Sequence, residues 1–100
     1  MMINVKRIKN DNEKRKGNEY YNNGDRYEGY IKKGKREGKG IYYYNNGHRY
    51  EGDIRNGFKD GKGIMYYNNG YRVMGDYYND KPIRKHALLT RDGIVQEIIY

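Results

Sequence analysis

Apolar residues in this chain come in short bursts rather than long runs. Tyr27–Ile31, Ile41–Tyr44, Tyr50–Ile54 and Ile64–Tyr67 are rich in Tyr and Ile and are bounded by Gly, Asn and Lys. Bursts of this kind read as short β-strands. Asn23-Gly24, Asn46-Gly47, Asn69-Gly70 and Asp92-Gly93 lie between bursts, and such dipeptides supply the positive φ of tight hairpin turns. The other connection, over residues 33–38 and 56–61, is a short loop bounded by glycine. Connections this short leave no room for crossover helices, so consecutive strands pair antiparallel. The pattern predicts an all-β protein, one open, elongated antiparallel sheet of stacked β-hairpins.

The bursts recur at an interval of 23 residues, with Tyr27–Arg49 (YEGYIKKGKREGKGIYYYNNGHR) aligning without a gap on Tyr50–Arg72 (YEGDIRNGFKDGKGIMYYNNGYR). All 14 glycines then fall into five columns, among them Gly17/Gly40/Gly63, Gly29/Gly52/Gly75 and Gly24/Gly47/Gly70/Gly93. The chain divides into a basic N-terminal arm (1–16) that is disordered or ordered by a partner, a half repeat (17–26), two full repeats (27–49 and 50–72), and a degenerate repeat ending in a capping hairpin (73–100). In the last unit Asp80, Arg84 and His86 stand in glycine columns and Pro82 interrupts the loop. Degenerate end units act as caps in repeat proteins. The aliphatic Ile94, Val95, Ile98 and Ile99 either cap the sheet or leave an edge that invites dimerisation.

A two-residue turn at Asn46-Gly47 places Tyr43 opposite Tyr50 and Ile41 opposite Gly52, and opposed side chains share a face. One face then carries Tyr27, Gly29, Ile31, Ile41, Tyr43, Tyr50, Gly52, Ile54, Ile64 and Tyr66. The other carries Gly40, Tyr42, Tyr44, Arg49, Glu51 and Asp53. A three- or five-residue turn exchanges these assignments. Glycine inside a strand weakens it unless another group approaches the bare backbone, and rings lying over Gly29 and Gly52 supply that reason. Gly29, Gly40, Gly47, Gly52, Gly63 and Gly70 are therefore the structural glycines.

The recurring YEG-x-I-x-x-G-x-x-x-G-K-G-x-x-Y-Y-x-x-G resembles the MORN (membrane occupation and recognition nexus) repeat over about residues 17–95, strongly in the two central units and loosely at both ends. The resemblance implies a curved, elongated sheet of hairpins that serves as a scaffold, binding proteins, dimerising or sitting at membranes. In several members the repeats accompany a separate enzyme, and nothing in this chain corresponds to one.

Composition narrows the chemistry. The chain has 100 residues, 14 of them Tyr, one Phe, no Trp and no Cys. A thick two-layer core is out of reach at this size and composition, and disulfides, Cys-ligated zinc and thiol catalysis are excluded. There is no Ser and Thr90 is the one Thr, which removes most hydroxyl nucleophiles. Gly38-Lys39-Gly40 and Gly61-Lys62-Gly63 lack the phosphate-loop spacing and a following helix. His48 and His86 have no ligand-spaced companions. The reading is a non-catalytic protein with no cofactor, no metal and no small-molecule substrate.

The net charge of +8 favours acidic partners. It concentrates in the arm and in Lys32, Lys33, Lys35, Arg36 and Lys39, with Phe58 at the tip of the equivalent loop one unit later. Two uses follow. Tyr27, Tyr43, Tyr50 and Tyr66 form a tyrosine-rich face for a protein partner or a second copy of the chain, since exposed tyrosines make good interfaces. Alternatively, the five basic residues with Phe58 bind anionic phospholipid headgroups, each basic side chain near the surface contributing about 1 kcal/mol. Single-stranded nucleic acid ranks third, because acidic residues occupy the opposite strands and no nucleic-acid module is recognisable. No apolar run reaches the ~20 residues of a membrane span. The expected location is cytoplasmic, peripheral to a membrane or a cytoskeletal structure.

Overall fold

The computed structural model describes residues 13–100. Eight strands follow one another in the sheet in chain order: β1 (Arg15–Tyr20), β2 (Arg26–Lys32), β3 (Lys35–Tyr43), β4 (Arg49–Arg55), β5 (Phe58–Tyr66), β6 (Arg72–Tyr78), β7 (Lys81–Leu89) and β8 (Val95–Ile99). All seven pairings are antiparallel, and the sheet is open, measuring 57 × 25 × 19 Å. Of the basic arm, Arg15 and Lys16 belong to β1, pairing with Ile31 and Tyr30. Residues 1–12 of the arm lie outside the described residues.

The two ends of the hairpins differ. At the Asn-Gly end the Tyr44 N–H donates to the His48 carbonyl at 2.9 Å and the Gly47 N–H to the Tyr44 carbonyl at 3.0 Å. This is a three-residue loop, a type I turn closed by Gly47 at φ +95. The same bonds join Tyr21 to Asp25, Tyr67 to Tyr71 and Thr90 to Ile94. In the three Asn-Asn-Gly turns the second Asn favours this geometry, because its side-chain oxygen accepts the N–H two residues on: Asn23 from Asp25, Asn46 from His48 and Asn69 from Tyr71. At the other end Lys33-Gly34, Asn56-Gly57 and Asn79-Asp80 all have positive φ, the signature of a two-residue type I′ turn.

The three-residue loop moves the pairing by one residue from the two-residue expectation, and a shift of one exchanges faces. Tyr42 opposes Tyr50, Tyr43 opposes Arg49 and Ile41 opposes Glu51. Tyr43, Tyr66, Ile41 and Ile64 thus lie on the face opposite Tyr27 and Tyr50, a correction to the face expected from a two-residue turn.

The glycines pair with one another. Gly17, Gly29, Gly40, Gly52, Gly63 and Gly75 form a continuous row across six strands. Tyr27 crosses this row on one face, and a Cβ at Gly40 would overlap its ring. Its hydroxyl donates to the Tyr30 carbonyl at 2.8 Å. Tyr50 repeats the arrangement over Gly63, bonding the Asp53 carbonyl at 2.8 Å. Both tyrosines are 0% exposed and, with Ile54 and Tyr77, form the buried cluster. Burial pushes the Tyr27 hydroxyl up to about 12 and raises that of Tyr50 as well.

In the third unit the donor strand changes. Val73 stands where Tyr27 and Tyr50 stood, and His86 stands in the Gly40/Gly63 column. The His86 imidazole comes from the opposite strand to cover Gly75 and donates through Nε2 to the Asp76 carbonyl at 2.8 Å. It is 1% exposed and meets Tyr77 and Tyr100 edge-on. Ring and gap have been exchanged across the strand pair, so the seat stays filled. Val73→Tyr and His86→Gly are each expected to lose about 1–3 kcal/mol in urea unfolding, by overpacking and by leaving a cavity. The double variant recovers most of that loss, because it rebuilds the arrangement of the central units; additive losses would contradict the exchange.

Successive units are also tied through their turns. The Asp25 carboxylate accepts the Tyr42 hydroxyl at 2.8 Å and the Asn45 N–H at 2.8 Å, and His48 Nδ1 takes the equivalent Asn68 N–H at 2.9 Å. Asn45 and Asn68 donate to the Asn23 and Asn46 carbonyls at 2.6 and 2.7 Å. The Asp25 carboxyl lies below the ordinary aspartate range, chiefly through the Tyr42 hydroxyl, with burial opposing and Asn45 and Asn23 assisting. The unfolded chain therefore takes up this proton at a higher pH than the folded chain. The stability from Asp25 is complete above the unfolded value of about 3.9 and fades as pH falls through the folded one. Asp25→Ala is expected to shallow the acid limb of a stability–pH curve below about pH 4; an unchanged limb would refute this.

Candidate interaction surfaces

The sheet presents two unlike faces. The enclosed face carries Tyr21, Tyr27, Tyr42, Tyr44, Tyr50, Ile54, Met65 and Tyr77, the whole buried cluster and most of the side chains packed on it. The open face carries a row that the register sets across the strands in the order Tyr20, Arg26, Tyr43, Arg49, Tyr66, Arg72. The Arg26 guanidinium lies 3.8 Å from the Tyr43 ring centroid and that of Arg49 lies 3.9 Å from Tyr66. Arg49 also donates to Glu51 at 2.8 Å. Stacking of this kind contributes about 0.5–1 kcal/mol at exposed sites and holds long side chains flat and extended.

Beside this row runs an open groove of about 850 Å³, floored by the backbone of Gly17, Gly29, Gly40 and Gly52 and lined by Tyr30, Ile41 and Ile64. Lys16 and Lys39 line it together with Glu28 and Glu51, and it continues past Lys62, Met74 and Asp76. Lys39 pairs with Asp53 at 2.6 Å and Lys62 with Asp76 at 3.7 Å, exposed ion pairs of small energetic weight. Burial raises the Asp53 carboxyl, but the bonds from Lys39 and from the Lys62 N–H outweigh it and hold the group below its usual range.

The tyrosines expected to share one binding face are divided. Tyr27 and Tyr50 are inaccessible, whereas Tyr43 and Tyr66 belong to the open row. The basic cluster is divided as well. Lys32, Lys33 and Lys35 are exposed around one type I′ turn, and Phe58, 46% exposed, flanks the next. Lys39 is on the open face with Asp53. Arg36 turns to the enclosed face, its guanidinium 5.1 Å from the Tyr42 ring and donating to the Gly57 carbonyl at 2.8 Å. Gly47 and Gly70 close their turns at φ +95 and +93. The Arg26/Arg49/Arg72 column was visible in the repeat alignment, and its pairing with Tyr43 and Tyr66 follows once the loop length is known.

Among the described residues no group of His, Asp and Glu is placed to hold a metal, and no helix is long and apolar enough to cross a membrane. Residues 27–49 and 50–70 match the family model described as the MORN repeat, and each match spans one ring-over-glycine hairpin. Residues 27–70 are two MORN repeats. No curated protein matches it. MORN repeats generally mediate interactions with proteins or membrane lipids.

Proposed function

We propose that this protein is a non-catalytic scaffold that binds a protein partner across its open face. The observation that carries the reading is the Tyr–Arg row beside a glycine-floored groove lined by Tyr30, Ile41 and Ile64. Tyr and Arg are the residue types that dominate interface energetics, and here they are held extended before any partner arrives. Tyr20 at the head of the row is 75% exposed, and Ile41 and Ile64 line a groove that no second layer of the described residues covers. Pre-ordered rings lower the entropy cost of association. The buried rings of Tyr27 and Tyr50 provide the rigid platform beneath.

The exposed Lys32, Lys33, Lys35 and Phe58 support a second reading, contact with anionic lipid headgroups at the turn edge. Affinity capture from cells that express the protein, near physiological salt, separates the two. The scaffold reading predicts a defined partner that is lost with Tyr43→Ser/Tyr66→Ser, weakened at least ~30-fold as for hot-spot truncations of 2 kcal/mol or more. It also predicts that the same partner is retained with Lys32→Gln/Lys33→Gln/Lys35→Gln. Flotation with anionic liposomes that depends on those lysines, and no partner that depends on the tyrosines, would overturn it in favour of lipid.

A further inference from the structure

On the enclosed face, away from the proposed partner groove, a smaller pocket of about 190 Å³ opens where the turns of two units meet. Arg36 and Lys59 both line it, and they occupy equivalent positions of consecutive repeats, 36 and 59. Neither forms an ion pair with a carboxylate of the described residues. Arg36 spends its donors on the Gly57 carbonyl at 2.8 Å and the Tyr21 hydroxyl at 3.2 Å. The Lys59 ammonium lies 5.6 Å and 5.2 Å from the Tyr50 and Tyr77 ring centroids. Among the described residues Asp80 is the one carboxylate lining the pocket, and its Oδ1 already accepts the Lys59 backbone N–H at 2.7 Å.

Partly buried cations without anionic partners are costly. Burial lowers the Lys59 ammonium below the usual lysine range, with Asp80 only partly offsetting it. Arg36, Lys59 and Asp80 together leave the pocket with one positive charge. One monovalent anion neutralises it, while a phosphate dianion overshoots and faces Asp80. The remaining walls, Tyr42, Tyr44, Tyr50 and Ile54, suit the methylenes of a short stem.

We propose that this pocket receives a single carboxylate, that of a glutamate or aspartate side chain of a protein partner, held between Arg36 and Lys59. The site lies on the opposite face from the Tyr–Arg row and stands or falls independently of the function proposed above. A bound carboxylate restores to Lys59 the counter-charge it lacks and fastens the partner to two adjacent repeats at once.

The test is an NMR titration of the side-chain signals of Lys59 and Arg36 in the intact chain, with propionate, inorganic phosphate, and the capped peptides Gly-Glu-Gly and Gly-Gln-Gly. The expected result is a saturable shift with propionate and with the Glu peptide, with Kd on the order of 1–10 mM for so small a ligand, and none with the Gln peptide. Lys59→Gln weakens binding at least tenfold, Lys59→Arg retains it, and Lys32→Gln/Lys33→Gln leaves it unchanged. Arg36→Gln abolishes binding, with sheet content checked by circular dichroism because Arg36 also packs on rings. Failure of propionate to saturate the wild-type signals, tighter binding of phosphate than of propionate, or equal binding of the Gln peptide would each overturn the proposal.

Discussion

A tyrosine ring lying on paired glycines, its hydroxyl tied to a carbonyl three residues along the same strand, is the contact on which the rest of this protein depends. A single-layer sheet has no second layer to bury its apolar face, and a chain of this size has little apolar surface to spare. Removing Cβ at Gly40 and Gly63 lets Tyr27 and Tyr50 lie against backbone, where they reach complete burial within one layer. The hydroxyl stays bonded, so burying it leaves no polar group unsatisfied. Glycine in a strand costs about 0.5–1 kcal/mol relative to alanine, which the burial of a ring more than offsets. His86 over Gly75 shows that the seat matters more than which strand fills it.

Two kinds of hairpin end turn this local contact into two functional faces. Three-residue loops at one end and type I′ turns at the other set the parity of every strand, and parity decides which residues the rings enclose. The enclosed face becomes the core and carries Arg36 and Lys59 at its margin. The open face keeps the side chains for which the core has no room, Arg26, Tyr43, Arg49 and Tyr66, flat and ordered by mutual stacking. Turn-to-turn bonds through Asp25, His48, Asn45 and Asn68 carry the geometry from one unit to the next. Each repeat thereby presents its surface at a nearly constant stride, two strands or roughly 10 Å.

The repeat, the antiparallel hairpins and the need for glycine beneath rings were all legible in the sequence, because glycine columns and Asn-Gly pairs have direct backbone meanings. The assignment of faces was not. Tyr42-Tyr43-Tyr44 is three identical side chains in a row, so no polar alternation says which of them points inward. Asn46-Gly47 is compatible with two- and three-residue loops, and the Asn46 side chain favours the longer one by bonding the His48 N–H, an interaction that no periodicity reports. Arg36 was grouped with Lys32, Lys33 and Lys35 by proximity in the chain, yet alternation along β3 places it on the opposite face from Lys35. Charge clusters counted along a strand overestimate patches in this way, since neighbours alternate. The Val73–His86 exchange was visible only as a missing glycine, its compensating valine being unremarkable alone.

The strand glycines serve the ring, not the glycine backbone itself. Gly63 and Gly17 occupy the same row and the same repeat column, but a Cβ at Gly63 meets the Tyr50 ring while one at Gly17 meets only the end of the Ile31 side chain, at 3.1 Å. Urea unfolding of Gly63→Ala and Gly17→Ala compares them directly. Gly63→Ala is expected to lose several times more stability than Gly17→Ala, with the Tyr50 hydroxyl titrating nearer its ordinary value of about 10 once the ring is displaced. Equal losses, with Tyr50 still buried in both variants, would contradict it.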